Sequence, residues 1–196
     1  MRPSDRTQDF DVRDSGEIGQ VARNIEIKAR IDDLERTTQL VTRAADRGPE
    51  KLTQMDTFFN VPEGRMKLRQ FHDGKAELIS YMRPNDTGPT ESRYERADVL
   101  NPKELGERFA QELGVKGQVR KTRQVFWVGR TRIHLDEVEG LGSFLELEVV
   151  LQPHEPTESG IKEAKALMRL LEINENSLIS EAYVDLLNGP NSLTFF

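Results

Sequence analysis

Two carboxylates stand two residues apart in the segment GSFLELEVVL, at Glu146 and Glu148. If this segment is a β-strand, alternate side chains point to opposite faces, so both carboxylates lie on one face. Like charges on the same strand face repel, and strands generally contain little Glu. A half-buried strand with a solvated outer face would explain the pair, and a role for both carboxylates in one binding site is the alternative.

Several other predicted strands also concentrate charge on one face. If the sheet curls into a barrel, these cations and carboxylates meet in one lumen. Buried charges are costly unless they are paired or bound to a metal, so such a lumen suits a polyphosphate bridged to the protein by a divalent cation. A fully solvated charged face is the competing interpretation. The charged positions are Glu26, Lys28 and Arg30; Lys67 and Arg69; Arg83; Arg93 and Glu95; Lys121 and Arg123; and Arg132, His134 and Asp136.

The composition limits the class of protein. The 196 residues are 36% hydrophobic and 32% charged, which fits one domain, or one domain plus a tail. The net charge of −6 argues against a general nucleic-acid binder, and the absence of cysteine excludes disulfides and thiolate metal sites. No apolar run is long enough for a membrane span or a signal peptide, so we expect a cytoplasmic protein.

The order of predicted elements indicates an antiparallel α+β domain over residues 22–188. Residues 1–21 are polar and lack apolar periodicity, so we expect a flexible tail there and a short second tail at 189–196. About eight strands, mostly consecutive, have helices before, between and after them. The predicted helices are one capped by Asp32 or Asp33 and ending at Gly48, one from about Pro102 capped by Asn101, one across residues 161–171, and one across SLISEAYVDLL.

Seven short motifs occur in a fixed order between residues 24 and 187. They are IEIK, QMDTFFN, MKLR, YMRP, VRKTR, RIHLDEVEGLGSFLELE and SEAYVDLL. Together they resemble the CYTH superfamily, the triphosphate tunnel metalloenzymes, and GLGSFLELE followed by YVDLL is most similar to its class IV adenylyl cyclase branch. The resemblance implies an eight-stranded antiparallel β-barrel, the triphosphate tunnel, with helices packed on the outside.

The resemblance also implies an enzyme that acts on a small-molecule triphosphate such as ATP and uses Mg²⁺ or Mn²⁺. Catalysis would involve Glu26, Lys28 and Arg132. The metal would be held by Glu26, Asp136, Glu146 and Glu148. The triphosphate would contact Lys28, Lys67, Arg69, Arg83, Arg93, Lys121, Arg123 and Arg132.

Three functions stay open at this point. The first is a class IV adenylyl cyclase, which converts ATP to cyclic AMP and pyrophosphate. The second is a phosphohydrolase of inorganic, thiamine or nucleoside triphosphate, because the same phosphate clamp serves either nucleophile. The third is a binding module that senses a polyphosphate or nucleotide without turnover. A homodimer is an open alternative to a monomer.

Two positions depart from the family pattern. The family signature is Glu-x-Glu-x-Lys, and here Asn24 stands where the first Glu belongs. An amide oxygen can coordinate Mg²⁺ but carries no charge, so the alternatives are weaker metal binding or an altered second metal position. Asn24 is the feature that most favours the binding module. Met82 stands where many relatives carry Lys, and its neighbour Arg83 lies on the opposite parity. Either Arg83 reaches inward through a bulge, or a basic contact is lost.

Three further side chains have competing interpretations. His134 could shuttle a proton, but a hydrogen-bonding spacer beside Asp136 is favoured. Trp127 is expected to pack under a helix, with base stacking as the alternative. Tyr183 is expected to be a packing anchor rather than an acid catalyst.

Overall fold

The computed structural model describes residues 21–189, which form eight strands and four α-helices. The predicted tails, residues 1–21 and 189–196, lie outside the described residues apart from Val21 and Gly189. The strands are β1 (Ala22–Arg30), β2 (Arg47–Phe59), β3 (Arg65–Phe71), β4 (Ala76–Met82), β5 (Thr90–Asp98), β6 (Val115–Val128), β7 (Thr131–Val138) and β8 (Gly142–Val150). The helices are α1 (Leu34–Ala44), α2 (Pro102–Glu112), α3 (Thr157–Leu170) and α4 (Tyr183–Leu187).

The strands close into a barrel in the order β1–β5–β4–β3–β2–β6–β7–β8, and all neighbours are antiparallel. The predicted α+β fold with an eight-stranded antiparallel barrel and external helices is therefore confirmed. Closure leaves no free strand edge, so the backbone donors of the sheet are paired within the barrel wall. None of the helices within residues 21–189 combines the length and the apolar character that crossing a membrane requires.

The main core lies outside the barrel wall, between the strands and helices α1 and α3. Apolar side chains of alternate strand residues, such as Ile27, Ile133 and Leu147, point outward and pack against helical residues such as Val41 and Met168. Because the apolar parity is covered by helices, the opposite parity of the same strands must face the lumen. Burial of each of these side chains stabilises the fold by about 1.5–3 kcal/mol.

Two predicted helix boundaries are wrong. Helix α1 ends at Ala44 rather than Gly48, because residues 47–59 pair with β6 as a long strand. The segment SLISEAYVDLL is helical only in α4. Upstream of it, Leu178 bridges Ala29 and the Ile179 amide donates to the carbonyl of Lys28, so β1 takes up the backbone groups that a helix would need.

One end of the barrel is closed by α4. Tyr183 of this helix lies against Phe144 with ring centroids 4.8 Å apart, and Ala182 and Tyr183 both line the lumen. The opposite end is lined by the exposed residues Glu50 and Arg96 and forms the mouth.

Candidate active site in the barrel lumen

The lumen is a cavity of about 270 Å³ whose wall is built from alternate residues of the strands. The strand register sets which charges meet. Glu26 of β1 lies directly opposite Glu148 of β8, and Lys28 lies opposite Glu146. Closure of β1 onto β8 therefore brings the first and last strands, more than a hundred residues apart in the sequence, into one acidic and basic cluster.

Asp136 is the most enclosed carboxylate of the cluster, with a fully buried side chain. Its oxygens accept hydrogen bonds from Lys121 (2.9 Å), from Arg123 at two positions (2.6 Å each) and from the Tyr183 hydroxyl (3.1 Å). Oδ1 thus accepts from Arg123, and Oδ2 accepts from Lys121, Arg123 and Tyr183. Asp136 holds Lys121 and Arg123. Like Glu26, it lies outside the group of described side chains whose ligand atoms are all within 4.8 Å of one another.

Glu146 and Glu148 lie side by side on β8 and face cations. Glu146 contacts Arg123 at 2.6 Å and Lys28 at 3.2 Å. Glu148 accepts from Arg132 at 2.8 Å and 2.7 Å. Ligand atoms of these two carboxylates and of His134 all lie within 4.8 Å of one another, which is the spacing that a single metal ion requires.

A second charged cluster occupies the other wall of the lumen. Lys67 donates to Asp56 at 2.9 Å, and Arg69 donates to the same carboxylate through two nitrogens at 2.8 Å each. Lys67 and Arg69 share one face as predicted, whereas Asp56 was not among the predicted site residues. An acid inside the apolar run MDTFF, at the same parity as Phe58, was the signal that could have found it.

Arg83 points toward the lumen without a bulge and borders the cavity through Glu26. Alternate residues of β4 line the cavity, including Ile79 and Tyr81, and Arg83 continues that parity while Met82 points outward and is 57% exposed. The Arg83 side chain is buried, donates to the carbonyl of Ser180 at 2.9 Å and approaches Glu26 at 3.6 Å.

Arg93 is not brought into the lumen, which corrects its predicted contact with the triphosphate. In β5 the residues that line the cavity are Ser92, Tyr94 and Arg96, so Arg93 has the outward parity. Its side chain is 64% exposed and pairs with Glu91 at 2.8 Å on the outer surface. Both parities of SRYERA carry charge, so alternation alone could not identify the inner face.

The carboxylates of the lumen differ in how readily they hold a proton. Burial raises the pKa of Glu146, but Lys28 and Arg123 outweigh it and hold this pKa well below its ordinary value. Burial also raises the pKa of Glu148, yet His134 and Arg132 lower it to about 2. For Glu26, burial and the neighbouring carboxylates prevail over Arg83, so its pKa is raised. A bound cation would relieve this excess of negative charge around Glu26.

Buried polar atoms without a hydrogen-bond partner converge on the same cavity. Within residues 21–189 they belong to four residues, and these are Asn24, Gln54, Arg83 and His134. Three of them line the lumen directly and Arg83 borders it through Glu26. Because an unsatisfied buried polar atom costs about 1–3 kcal/mol, their grouping indicates a place where a polar ligand or water completes the bonding.

Trp127 lies at the mouth of the lumen instead of under a helix, which corrects the packing expectation. The guanidinium of Arg47 lies 4.0 Å from the centre of its indole ring, a stacked cation–π contact. The apolar side chains of Leu52, Phe71 and Val125 line the cavity nearby. The mouth is therefore aromatic and apolar, whereas the deeper lumen is charged.

Comparison with known proteins agrees with this geometry. The CYTH domain model matches residues 22–183, and the chain therefore belongs to the CYTH domain family. The resemblance seen in the ordered motifs is confirmed. The fold and the paired charges inside the barrel agree with this membership.

Relatives carry names of two activities. A Methanocaldococcus jannaschii protein, whose name proposes an adenylate cyclase, is 25% identical over 171 residues, covering 83% of this chain and 97% of its own length. A Pyrococcus horikoshii structure has a TM-score of 0.75 with 24% identity, covering 83% of this chain and 98% of its own. A Hippeastrum structure has a TM-score of 0.54 with 18% identity, covering 82% of this chain and 91% of its own. It is named for adenylyl cyclase and described as having a dominant triphosphatase activity.

Proposed function

We propose that the protein is a divalent-metal-dependent enzyme that acts on triphosphates, with class IV adenylyl cyclase activity as the leading reaction. The observation that supports this most is the convergence of unsatisfied buried polar atoms and paired charges on one closed-ended lumen. Such a site offers cations to phosphate oxygens and carboxylates to a metal. A hydrophobic core would contain neither cations nor carboxylates, and on an exposed sheet face the same polar atoms would be hydrated.

The cations of the lumen would cradle the phosphates. Each of them is already held in the lumen by a carboxylate or a carbonyl, so the cations are concentrated at the site before the ligand enters. Arg83 is the best placed to gain a partner, because its Nε and Nη2 atoms are buried and make no hydrogen bond. The proposed phosphate contacts are Lys28, Lys67, Arg69, Arg83, Lys121, Arg123 and Arg132, and Arg93 is left out because it points outward.

The metal would be held by Glu26, Glu146 and Glu148. When bound, a divalent cation such as Mg²⁺ or Mn²⁺ would neutralise phosphate charge and help to align the reacting groups. Glu26 faces Glu148 across the β1–β8 pair, so the three carboxylates form one patch of oxygen donors. Two cations beside these carboxylates, Lys28 and Arg132, would stabilise the negative charge that develops on the phosphates during the reaction. This is their proposed catalytic role.

The mouth supports a substrate with an organic group rather than bare triphosphate. Trp127 and Arg123 lie four residues apart on the same face of β6, which is about 13 Å along a strand. A nucleoside triphosphate with its phosphates at Arg123 would extend its base toward Trp127 and Arg47. Base stacking on aromatic rings contributes about 1–3 kcal/mol per base.

A triphosphatase is the second candidate, and the Hippeastrum relative is what favours it. The same phosphate cradle would serve if water, instead of the ribose 3′-hydroxyl, attacks phosphorus. In the cyclase the hydroxyl attacks the α-phosphorus and pyrophosphate leaves, whereas in the hydrolase water attacks the terminal phosphorus. A cytoplasmic location and a homodimeric state stay predictions.

The test is to incubate the purified protein with ATP, inorganic triphosphate or thiamine triphosphate, each with Mg²⁺ or Mn²⁺, and to identify products by mass. Cyclic AMP with pyrophosphate supports the cyclase, and orthophosphate with a diphosphate supports the hydrolase. Ligand binding without turnover at high protein concentration would contradict both and leave a binding module.

A matched pair of variants controls this assay. Glu146→Gln combined with Glu148→Gln should abolish metal-dependent turnover while circular dichroism stays unchanged. Glu137→Gln, on the exposed outer face of β7, should leave turnover unaltered. Retained activity in the double variant would refute the metal assignment.

A further inference from the structure

His134 lies among the proposed metal ligands and has no established task. It stands directly opposite Glu146 in the β7–β8 pair, and Arg132 stands opposite Glu148. Its ring faces the lumen, and one ligand atom from each of His134, Glu146 and Glu148 lies within 4.8 Å of the other two.

The Nδ1 atom of His134 is buried without a hydrogen-bond partner. The residue is only 4% exposed, and the nearest carboxylate oxygens are 3.5 Å away on Glu146 and 3.7 Å away on Glu148. The predicted role as a hydrogen-bonding spacer beside Asp136 finds no support, because Asp136 is filled by Lys121, Arg123 and Tyr183. An enclosed nitrogen aimed at two carboxylates is an arrangement that a metal ion would complete.

We propose that His134 coordinates the metal through Nδ1 together with Glu146 and Glu148, so that the site takes a first-row transition metal such as Mn²⁺ in preference to Mg²⁺. This inference rests on the proposed metal-dependent function and deepens it. Mg²⁺ demands oxygen ligands in near-ideal octahedral geometry, whereas an imidazole nitrogen suits first-row transition metals. One nitrogen and two carboxylates leave further positions for phosphate oxygens.

The surroundings of the cluster allow this coordination. Glu148 binds Arg132 through Oε2, so its Oε1 atom is the one that lies on the His134 side. Glu146 is shared with Arg123 and Lys28, and these cations would turn to the phosphates as the ligand enters.

The experiment measures Mn²⁺ bound to the full-length protein by titration and by pulsed electron paramagnetic resonance, with and without inorganic triphosphate. The chain has 3 histidines, so a directly coordinated nitrogen can be assigned by substitution. We expect ¹⁴N coupling in the wild type and its loss in His134→Gln. The ratio of Mn²⁺ to Mg²⁺ affinity should fall by at least about 10-fold, since even supporting groups of metal sites are worth about 10–100-fold.

His72→Gln is the matched control, because His72 is exposed in the turn after β3. It should keep both the ¹⁴N coupling and the affinity ratio. Mn²⁺ that binds the wild type without ¹⁴N coupling would overturn the role of His134 while leaving the proposed function standing. No binding of Mn²⁺ or Mg²⁺, even with inorganic triphosphate, would overturn the metal-dependent function as well.

Discussion

Replacing Asp136 by Asn tests whether this carboxylate holds the lumen together. The variant keeps the shape of the side chain but removes the charge that faces Lys121 and Arg123, whose side chains are 3% and 5% exposed. Breaking a buried ion pair from one side typically costs about 3–5 kcal/mol, because the remaining charge stays buried without compensation. In the variant Arg123 keeps its ion pair with Glu146 at 2.6 Å, whereas Lys121 loses its ion pair with Asp136 at 2.9 Å. We therefore expect the lower end of that range, about 3 kcal/mol.

Urea unfolding followed by circular dichroism measures the loss, and a thermal scan should show a Tm about 6–12 °C lower. Asp73→Asn is the matched control, because Asp73 pairs with Lys75 on the surface and should not change the midpoint. Adding Lys121→Met to Asp136→Asn should recover part of the loss, since it removes the stranded charge. A loss below about 1 kcal/mol would refute the reasoning and mean that water in the lumen screens these charges.

The same variant has a defined pH dependence. Burial raises the pKa of Asp136, but Arg123 and Lys121 outweigh it and keep the pKa below its ordinary value of 3.8. A lowered acid pKa stabilises the folded state above the unfolded pKa and loses that effect as the pH falls through the folded value. The difference in the free energy of unfolding between wild type and Asp136→Asn should thus be largest at neutral pH and become smaller only in strong acid.

Three other predictions concern ligand binding. Burial, followed by Arg69, lowers the pKa of Lys67 to about 8, so the Kd for inorganic triphosphate should rise by up to about tenfold between pH 8 and 9 in titration calorimetry. Lys67→Arg should remove that rise, and an equal slope in both proteins would contradict the contact. Trp127→Leu should raise the KM for ATP about tenfold and leave that for inorganic triphosphate unchanged; an equal effect on both would exclude base stacking. Asn24→Glu should tighten Mg²⁺ binding about tenfold by adding charge, and weaker binding would show that the amide itself suits the site.

Alternation along the sequence was enough to predict much of the inner face, and the closed barrel was expected from the resemblance to the CYTH superfamily. In β1, β7 and β8, apolar and charged residues alternate without exception over the stretches that carry Glu26, Lys28, His134 and Glu148. A period of two fixes which side chains share a face, and helices with apolar stripes must cover the other face. Alternation failed where both parities are polar, which is why Arg93 was placed inside.

Which charges meet in the lumen depends on the tertiary structure. The opposition of Glu26 to Glu148 depends on the register of β1 against β8, and local pattern contains no information about a contact between the two ends of a domain. The partners of Asp136 come from two places: Lys121 and Arg123 reach it from the neighbouring strand β6, and Tyr183 reaches it only because α4 packs against the end of the barrel. The residues could be assigned to a face from the sequence, whereas their partners, burial and pKa values exist only once the barrel closes.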